Sequence, residues 1–325
     1  MEKFGWFFIG TGKLAEQVAS QITSSGRHKI VSCYTRNFEK AKTFAEKHGA
    51  TAFEKAEDAI TAEGVEGVYV VTTHNAHYRF AKIALEKKVP VFCEKAFTVT
   101  AKETDDLIAL SKENGVYLAE AMWTWFSPSA NKVKEWVQSG EIGKVSEANF
   151  TYHMKSVNYA PRVSDKKRAG GALLDITVYP ITYAYRLFGY PTEIESRGTI
   201  RNGIDLCEDV VISFVGGERA VISASIVDMK GFEKMKIKGE KGEIKALMYH
   251  CMNGATLKKK GERKQKFKGD GPLINSYLDE FDAVSKEIRA GLKESAYVPL
   301  AATSDVMHIM DEIRGQIGLV YDELE

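Results

Sequence analysis

The sequence predicts an α/β protein with an N-terminal Rossmann dinucleotide-binding domain and a C-terminal α+β domain whose open sheet is mostly antiparallel. Over roughly the first 120 residues, short β-branched or aromatic runs alternate with amphipathic helical stretches, which is the pattern of βαβ units and a parallel sheet. After about Ala121 the pattern changes to strands joined by short turns. A length of 325 residues is sufficient for two hydrophobic cores. We therefore place one domain at 1–121 and a second, for substrate binding and oligomerisation, at 122–325, with the closing helix able to pack back on the first domain.

The N-terminal domain is predicted to alternate five strands with four helices. The run VEGVYVVT is nearly continuous in apolar residues, as expected of a strand buried on both faces. The predicted strands are Phe4–Ile9, Lys29–Tyr34, Val65–Thr72, Val89–Cys93 and Val116–Ala119. The predicted helices are Leu14–Ser24, Phe38–Lys47, Tyr78–Lys87 and Ala101–Asn114.

The C-terminal domain is predicted to begin with a helix and a strand and to continue, after an irregular polar stretch at 155–169, with a helix, a sheet and two closing helices. Glycine pairs supply turn chemistry between the sheet strands. The predicted helices are Ser129–Ser139, Gly171–Leu187, Ile274–Ala290 and Ala301–Val320. The predicted strands are Val145–His153, Ile194–Ile200, Asp209–Val215, Arg219–Val227, Met235–Lys238 and Glu243–Met248.

Composition excludes several classes of function. Apolar residues make up 44%, charged residues 27%, and the net charge is +1, so no polyanionic partner such as nucleic acid is expected. Nucleic-acid binding by the basic stretch Lys258–Lys268 would require aromatic stacking partners and a basic domain around it. Neither is evident, so the stretch is predicted to be a solvated hairpin. No apolar run is long enough to span a membrane, and we expect a cytoplasmic protein with a small-molecule substrate. The four cysteines form no CxxC pair and the seven histidines no HxH or HxxxH cluster, so no metal site is predicted.

A dinucleotide-binding signature follows the first predicted strand and opens the first predicted helix. Gly10 permits the tight turn, Gly12 lets the backbone approach a pyrophosphate, and the free N–H groups of the helix terminus attract the phosphates. This strand–turn–helix context is what gives the motif its specificity. The segment fits the pattern GxGxxA and reads Gly10, Thr11, Gly12, Lys13, Leu14 and Ala15.

The end of the second strand indicates which nicotinamide cofactor is bound. Enzymes specific for NAD usually place Asp or Glu there to hold the ribose 2′-hydroxyl. Here the strand ends in Thr35 and Arg36, with no carboxylate. Because Arg36 can pair with a 2′-phosphate and stack on adenine, and Thr35 adds a hydroxyl donor, we predict that NADP(H) is preferred and NAD(H) possible; the alternative is that Arg36 is a solvated surface arginine.

Several further segments resemble the Gfo/Idh/MocA oxidoreductase family, and in particular its dimeric dihydrodiol dehydrogenase and glucose–fructose oxidoreductase branch. The resemblance runs nearly end to end. It implies a catalytic Lys95, a second-domain Asp175 with Tyr179 four residues later, and a homodimer or homotetramer formed through the C-terminal sheet. The matching segments are Thr72–His77, Cys93–Ala96, Glu120–Thr124, Gly170–Pro180 and Met310–Tyr321.

The sequence departs from the family pattern at three positions. Ala96 replaces the proline of the Glu-Lys-Pro motif, which removes a backbone constraint next to Lys95. His74 replaces the proline of the Thr-Pro-Asn segment. Trp125 replaces the arginine of a Trp-Ser/Thr-Arg stretch, so the sequence does not identify the substrate.

The expected chemistry is proton transfer at a substrate oxygen beside the hydride step, which the cofactor supplies. Asp175 and Tyr179 are i and i+4 on a predicted helix, and Lys95 ends a parallel strand, so the three are expected to converge above the nicotinamide. A free tyrosine has a pKa of about 10. A cation about 4 Å away contributes about 4 kcal/mol at an effective dielectric of 20, enough to lower that pKa by about 3 units. We predict Tyr179 as general acid/base, Lys95 as the cation and Asp175 as the group that holds Lys95; the alternatives are that Lys95 is itself the acid/base or that Tyr179 is a core residue.

Other residues are secondary candidates. Thr72, Thr73, Asn75 and His77 lie at or just after the end of the predicted strand Val65–Thr72 and are expected to lie along the cofactor. Glu94 is expected near the nicotinamide ribose, and Trp123 at the cofactor and substrate. Phe126 and His153 are substrate candidates, and Arg168 is a weaker one.

Three functions remain open from the sequence. The first is an NADP-dependent oxidoreductase acting on a CH–OH group of a sugar, polyol or dihydrodiol-like compound. The second is a reductase of a non-sugar carbonyl or imine, such as a tetrapyrrole or an α-dicarbonyl. The third is a catalytically silent NADP-binding regulatory protein, which the Lys95, Asp175 and Tyr179 set argues against.

Overall fold

The computed structural model describes residues 2–158, 160–269, 276–322 and 324. It divides into an N-terminal unit, Met1–Trp123 with Asn275–Ser304, and a C-terminal unit, Thr124–Ile274 with Asp305–Glu325. The sequence placed the boundary after residue 121 and assigned the later segment at 275–304 to the second domain. Each unit is described by itself below.

The N-terminal unit is built on a six-stranded parallel sheet with the order β3-β2-β1-β4-β5-β6. This is the strand order of a Rossmann fold, in which ligands bind at the carboxyl ends of the strands where the order reverses, here at β1 and β4. Every residue of β1, β4, β5 and β6 is buried, as expected for strands covered on both faces. The strands are β1 Phe4–Ile9, β2 His28–Tyr34, β3 Thr51–Phe53, β4 Gly67–Val70, β5 Val91–Glu94 and β6 Leu118–Ala121.

Amphipathic helices cover this sheet, and their ends carry the expected capping residues. Asn37 and Thr100 accept hydrogen bonds from backbone N–H groups at the starts of α2 and α5, and Gly49 and Gly115 end the same helices in the left-handed conformation. The helices are α1 Lys13–Ser24, α2 Phe38–His48, α3 Ala56–Ile60, α4 His74–Glu86 and α5 Ala101–Asn114.

A later helix, α8 (Ser276–Arg289), also belongs to the N-terminal unit. Phe281 of α8 is fully buried, and its ring lies 4.8 Å from Trp6 and 4.9 Å from Tyr69, measured between centroids. The sheet of the first unit is therefore packed against a helix that lies far downstream in the sequence. The predicted closing helix is α9 (Leu300–Ile317), and its first residues, up to Ser304, lie in the N-terminal unit.

The C-terminal unit contains an eight-stranded sheet with the order β14-β13-β12-β11-β7-β10-β9-β8. All neighbouring strands pair antiparallel except β7 and β10, so the mostly antiparallel sheet is confirmed. Two further helices, α6 Pro128–Gln138 and α7 Val178–Phe188, belong to this unit. The strands are β7 Val145–His153, β8 Pro191–Arg201, β9 Ile204–Phe214, β10 Arg219–Ser225, β11 Glu233–Gly239, β12 Gly242–Leu247, β13 Gly254–Lys259 and β14 Gln265–Lys268.

The structure corrects four details of the predicted elements. Strand β3 and helix α3 were missed, because three and five residues are too short to show a periodic pattern. Helix α4 begins four residues before the predicted Tyr78. Strand β9 begins at Ile204, five residues before the predicted start. The predicted helix at 171–187 is interrupted, because Leu173–Thr177 forms a π-helical turn before α7.

The basic stretch at 258–268 forms the β13–β14 hairpin, with mostly exposed side chains, as predicted. Among the described helices, none combines the length and apolar character needed to cross a membrane.

Candidate active site

The loop between β1 and α1 has the geometry of a phosphate-binding turn. Gly10 has φ +108°, and a Cβ there would lie 2.5 Å from the Val71 carbonyl oxygen, so glycine is required. Gly12 begins α1 with no side-chain cap, and nothing lies within 4 Å of the position that a Cβ would take. Ala15, fully buried, keeps the helix close to the sheet. The uncapped helix start and the open space at Gly12 fit a dinucleotide pyrophosphate.

The ends of β1 and β2 are held side by side at this loop. The Gly10 N–H donates to the Tyr34 carbonyl oxygen at 2.9 Å. Thr35 is half-buried and Arg36 is exposed, immediately after the end of β2. The predicted cofactor-selecting residues therefore follow the strand that neighbours the phosphate turn, at the same sheet edge.

The β4–α4 loop carries the next group of predicted cofactor residues. Thr73 begins α4, and its hydroxyl donates to Asn75 Oδ1 at 2.7 Å. Thr72, Thr73 and Asn75 are all half-buried at the carboxyl end of β4. They lie at the sheet edge where a Rossmann cofactor binds.

His77 holds two backbone segments together. It is 1% exposed, with Nδ1 3.0 Å from the Ala96 carbonyl oxygen and Nε2 3.3 Å from the Thr72 carbonyl oxygen. Burial lowers its pKa to about 4, so near pH 7 the ring is neutral and its one N–H can donate to only one of these two carbonyl oxygens. His77 therefore lies between the β4–α4 loop and the segment after Lys95, and its contact with the cofactor stays a prediction.

Lys95 follows the last residue of β5, at the carboxyl end of a parallel strand as predicted. It is half-buried, and the Lys95–Ala96 peptide bond is cis. Its charge acts on the ionisation of both His77 and Glu120. The preceding residue, Glu94, is 6% exposed and accepts a hydrogen bond from the Tyr69 hydroxyl at 2.6 Å. Glu94 is therefore held within the sheet of the N-terminal unit, and its place near the nicotinamide ribose stays a prediction.

Two further buried carboxyl groups lie near Glu94 and were not identified from the sequence. Glu120, at 3% exposure, accepts from the Thr303 hydroxyl at 3.0 Å, and burial together with the charge of Glu94 raises its pKa to about 7. Glu280 of α8 is fully buried, and burial together with Glu94 raises its pKa well above the usual range. Trp123 stacks on Tyr277 of α8, with ring centroids 4.8 Å apart and an interplanar angle of 11°.

We expect Glu120→Gln to stabilise the protein above neutral pH. The pKa of Glu120 is about 7 in the folded state against an ordinary value of 4.5, so the folded state binds the extra proton between these values. Stability from this group is therefore present at low pH and is lost as pH rises from 4.5 to about 7. The shift corresponds to about 3 kcal/mol at most.

Urea denaturation at pH 5, 6, 7 and 8 measures this effect. The variant is expected to gain about 1–3 kcal/mol at pH 8 relative to the wild type. It should keep the opposite contribution of His77, whose lowered pKa adds stability as pH rises from about 4 to 6.5. Parallel stability curves for the two proteins would contradict the assignment.

In the C-terminal unit the π-helical turn at Leu173–Thr177 carries Asp175 and is held at both ends by buried carboxyl groups of β9. The Leu173 N–H donates to Asp205 Oδ2 at 2.6 Å, and the Thr177 hydroxyl donates to Glu208 Oε2. Burial, with Asp205 nearby, raises the pKa of Glu208 well above its usual range. These contacts fix the backbone on which Asp175 stands.

Asp175 has a partner that sequence reasoning missed. Its Oδ1 accepts a hydrogen bond from Arg162 Nη2 at 2.7 Å. The Asp175 side chain is 9% exposed and that of Arg162 is 45% exposed. Within the C-terminal unit the counter-ion of Asp175 is therefore an arginine.

Tyr179 lies in an aromatic group formed by α7, β7 and the turn after β12. It is 6% exposed, with its ring centroid 6.0 Å from Tyr152 and 5.6 Å from His250. Tyr152 stacks on His250 at 5.2 Å. Glu233 of β11, the cross-strand neighbour of Tyr152, contacts His250 Nδ1 at 2.6 Å. The Tyr179 ring therefore packs among the rings of Tyr152 and His250.

His153 does not belong to this aromatic group, and its contact with substrate stays a prediction. Adjacent residues of a strand point to opposite faces, and Tyr152 faces α7. His153 therefore lies on the other face, where Nδ1 is 3.0 Å from Asp228 Oδ1 and Nε2 is 3.1 Å from Ser223 Oγ. Arg168 pairs with Asp165 at 3.0 Å.

Trp125, which replaces the family's arginine, is contacted by an arginine of another element. Arg186 of α7 lies over the Trp125 ring, 4.8 Å from its centroid, and donates to the Trp125 carbonyl oxygen at 3.3 Å. Its other hydrogen bond is to Asn131 Oδ1, at 2.5 Å. This guanidinium anchors the start of the C-terminal unit, where Phe126 is buried at 6% exposure.

The residues missed by sequence reasoning share one property: their partners are distant in the chain. Glu233 and His250 are 17 positions apart, and Arg162 and Asp175 are 13 apart. No short-range sequence pattern identifies such pairs. They can be recognised only once the tertiary contacts between the segments are known. The one available signal was the histidine in a short segment that also carries Tyr249 and Cys251.

Comparison with known proteins identifies two matching family models. Residues 4–122 match the model described as "Oxidoreductase family, NAD-binding Rossmann fold", GFO_IDH_MocA. Residues 130–245 match the GFO/IDH/MocA C-terminal domain. The two models follow one another along the chain, as they do in a two-domain member of one family.

Curated relatives match over almost the whole length. A trans-1,2-dihydrobenzene-1,2-diol dehydrogenase of Mus musculus is 29% identical, covering 98% of each chain. A D-xylose 1-dehydrogenase (NADP(+)) of Hypocrea jecorina is 28% identical, covering 98% of this chain and 93% of that one. Among solved structures, the 3-ketoreductase KijD10 of Actinomadura kijaniata, in complex with NADP and TDP-benzene, has a TM-score of 0.88 at 17% identity, covering 97% of this chain and 98% of that one. This last likeness shows the shared fold.

Proposed function

The chain belongs to the Gfo/Idh/MocA family of NAD(P)-dependent oxidoreductases, and from that premise we propose that it transfers a hydride between NADP(H) and a carbinol or carbonyl carbon of a sugar, polyol or dihydrodiol-like compound. The observation that carries the proposal is the position of Tyr179. Tyr179 is 6% exposed as a residue, and its ring packs among the rings of Tyr152 and His250. Aromatic rings stack on the apolar faces of cyclic polyols, and the hydroxyl can exchange a proton with a substrate oxygen.

Two residues are assigned chemical roles. Tyr179 gives its proton to the substrate oxygen in reduction and takes it back in oxidation. Lys95 supplies a positive charge at the carboxyl end of β5, which favours the oxyanion or phenolate form of a neighbouring oxygen. Asp175, paired with Arg162, fixes the turn that precedes Tyr179. The cofactor supplies the hydride when bound.

A substrate panel run in both directions tests the proposed function. Purified protein with NADP⁺ is assayed by absorbance on D-xylose and trans-1,2-dihydrobenzene-1,2-diol, the substrates named for its relatives, and on other pentoses, hexoses and inositols. The reverse assay uses NADPH with the corresponding ketones and α-dicarbonyls. Turnover confined to non-sugar carbonyls would replace this proposal with the second candidate, a non-sugar carbonyl reductase.

Cofactor preference is proposed to depend on Arg36. A charge-assisted contact to the 2′-phosphate contributes about 1.5–3 kcal/mol, so Arg36→Ala should raise the Kd for NADPH by about 10- to 100-fold. The Kd for NADH should change little, because NADH has no 2′-phosphate. Fluorescence titration of both cofactors measures this, with Arg79→Ala, an exposed arginine on α4, as the control. A wild-type preference for NADH would contradict the proposal.

We also propose that copies of the chain associate through the face of the C-terminal sheet opposite α7. That face includes the half-buried, uncharged side chains of Asn149, Thr151, Val221 and Ser223. Their charged cross-strand neighbours are Lys234, Lys236 and Asp209. Mass measurement in solution distinguishes a monomer from a dimer or tetramer.

We also propose a cytoplasmic location, supported by four cysteines that are all free thiols.

A further inference from the structure

The pair formed by Glu233 and His250 has a defined geometry beside Tyr179. Both carboxylate oxygens of Glu233 are used: Oε1 accepts from the His250 backbone N–H at 2.6 Å and Oε2 contacts Nδ1 at 2.6 Å. The Met248 N–H donates to the Glu233 carbonyl oxygen at 3.1 Å, and Met248 has φ +47°, which turns the chain back so that His250 faces β11. Glu233 is 2% exposed. The imidazole is therefore held in one orientation by a buried carboxylate.

This orientation determines which ring nitrogen handles a proton. A carboxylate accepts hydrogen bonds, so Nδ1 of His250 carries hydrogen in both the neutral and the charged ring. Nε2 is then the ring nitrogen that can gain or lose a proton. The His250 side chain is 18% exposed, whereas Tyr179 is 6% exposed, so His250 is the member better placed to exchange protons with water.

The other ionisable side chains around Tyr179 in this unit are held in one state. Burial raises the pKa of Tyr152 and of Tyr249 well above the ordinary value, and raises the pKa of Cys251 to about 12, so all three stay neutral. Asp175 is paired with Arg162. The titratable and charged groups facing His250 and Tyr179 are Tyr152 of β7, Glu233 of β11, Asp175 of the π-helical turn with Arg162, and Tyr249 and Cys251 of the turn after β12.

We propose that His250, held by Glu233, is a positioning residue that acts through Tyr179 by stabilising the Tyr179 phenolate. The inference rests on the proposed function, in which Tyr179 exchanges a proton with substrate. In reduction, the carbonyl carbon receives a hydride from NADPH and the carbonyl oxygen receives the Tyr179 proton, leaving a phenolate. The His250 ring lies 5.6 Å from that ring, between centroids, and a positive charge on it lowers the energy of the phenolate. In oxidation the same charge favours the phenolate that accepts the substrate proton.

The deciding experiment follows the Tyr179 hydroxyl directly. The protein is labelled with tyrosine carrying ¹³C at Cζ, saturated with NADP⁺ and titrated by NMR, and the Tyr179 signal is identified from its absence in Tyr179→Phe. In His250→Gln the titration midpoint of Tyr179 should rise by about one pH unit, because the nearby positive charge is gone. His308→Gln, a change of an exposed histidine on α9, should leave the midpoint in place.

A second variant covers the case in which His250→Gln leaves Glu233 buried without its partner and fails to fold. The double variant Glu233→Gln/His250→Gln keeps a hydrogen-bonded pair but removes both charges. The midpoint should still rise, by less than in His250→Gln, because a negative charge is lost together with the positive one. A midpoint unchanged in the folded variant overturns the inference. Failure of the proposed function is a separate result, because it is measured by the turnover of Tyr179→Phe and not by this titration.

Discussion

Tyr179→Phe is expected to lower kcat by a factor of about 10² or more while the protein folds and binds NADPH normally. The change removes one oxygen atom from a buried ring and leaves the packing against Tyr152 intact. Lys95→Met should give a loss of similar size, because it removes the charge that favours the deprotonated oxygen. Initial rates with saturating NADPH and the best substrate of the panel measure both effects.

The matched control is Tyr183→Phe, one turn further along α7. Tyr183 is also buried, and its hydroxyl donates to the Tyr249 carbonyl oxygen at 2.9 Å. Losing this bond should lower the free energy of unfolding by about 1 kcal/mol, with kcat within about twofold of wild type. Near-normal turnover in Tyr179→Phe would transfer the acid/base role to Lys95. If both residues act in one step, the double variant should lose less activity than the product of the two single losses.

The parts of the fold that the sequence predicted well are those with a local signal. Strand β1, helix α5 and strand β7 have the predicted bounds. Strand β1 is buried along its whole length, β7 alternates between buried and more exposed residues, and α5 is bounded by the capping residues Thr100 and Gly115. The phosphate turn was predictable for the same reason, since Gly10 and Gly12 stand at fixed offsets from a strand and a helix.

The parts that were not predictable depend on contacts between distant segments. A π-helical turn needs one extra residue in a helix, and here the turn is held by Asp205 and Glu208, some 30 residues downstream. The helical pattern at 171–187 therefore could not reveal the interruption. In the same way, α8 was predicted as a helix, but its place against Trp6 and Tyr69 in the N-terminal unit depends on Phe281.

The Gly170–Gly171 pair shows the difference between a local sequence signal and a contact between distant segments. The motif is visible in the sequence, but the structural requirement for two glycines is not. Gly171 has φ +118°, a conformation that costs other residues about 1–3 kcal/mol. A Cβ at Gly171 would also overlap the Asp205 carboxylate, and one at Gly170 would lie 2.6 Å from the Val163 carbonyl oxygen. The two glycines therefore let the backbone just before the π-helical turn approach Val163 and Asp205 closely.

Gly171→Ala is therefore expected to destabilise the protein by about 3 kcal/mol or more and to lower kcat at least tenfold. The alanine must displace the Asp205 carboxylate, which leaves the Leu173 N–H without its acceptor. The π-helical turn that contains Asp175 and precedes Tyr179 then loses its anchor. Urea denaturation and initial rates measure the two effects.

Gly12→Ala is the matched comparison, because the same substitution there meets open space. Its φ of −77° suits any residue, so stability should stay within about 1 kcal/mol of wild type. The added methyl group instead occupies the space proposed for the pyrophosphate, so the Kd for NADPH should rise about tenfold or more. Opposite outcomes at the two glycines separate a backbone requirement from a ligand requirement; a stable, active Gly171→Ala would show that the π-helical turn does not depend on Asp205.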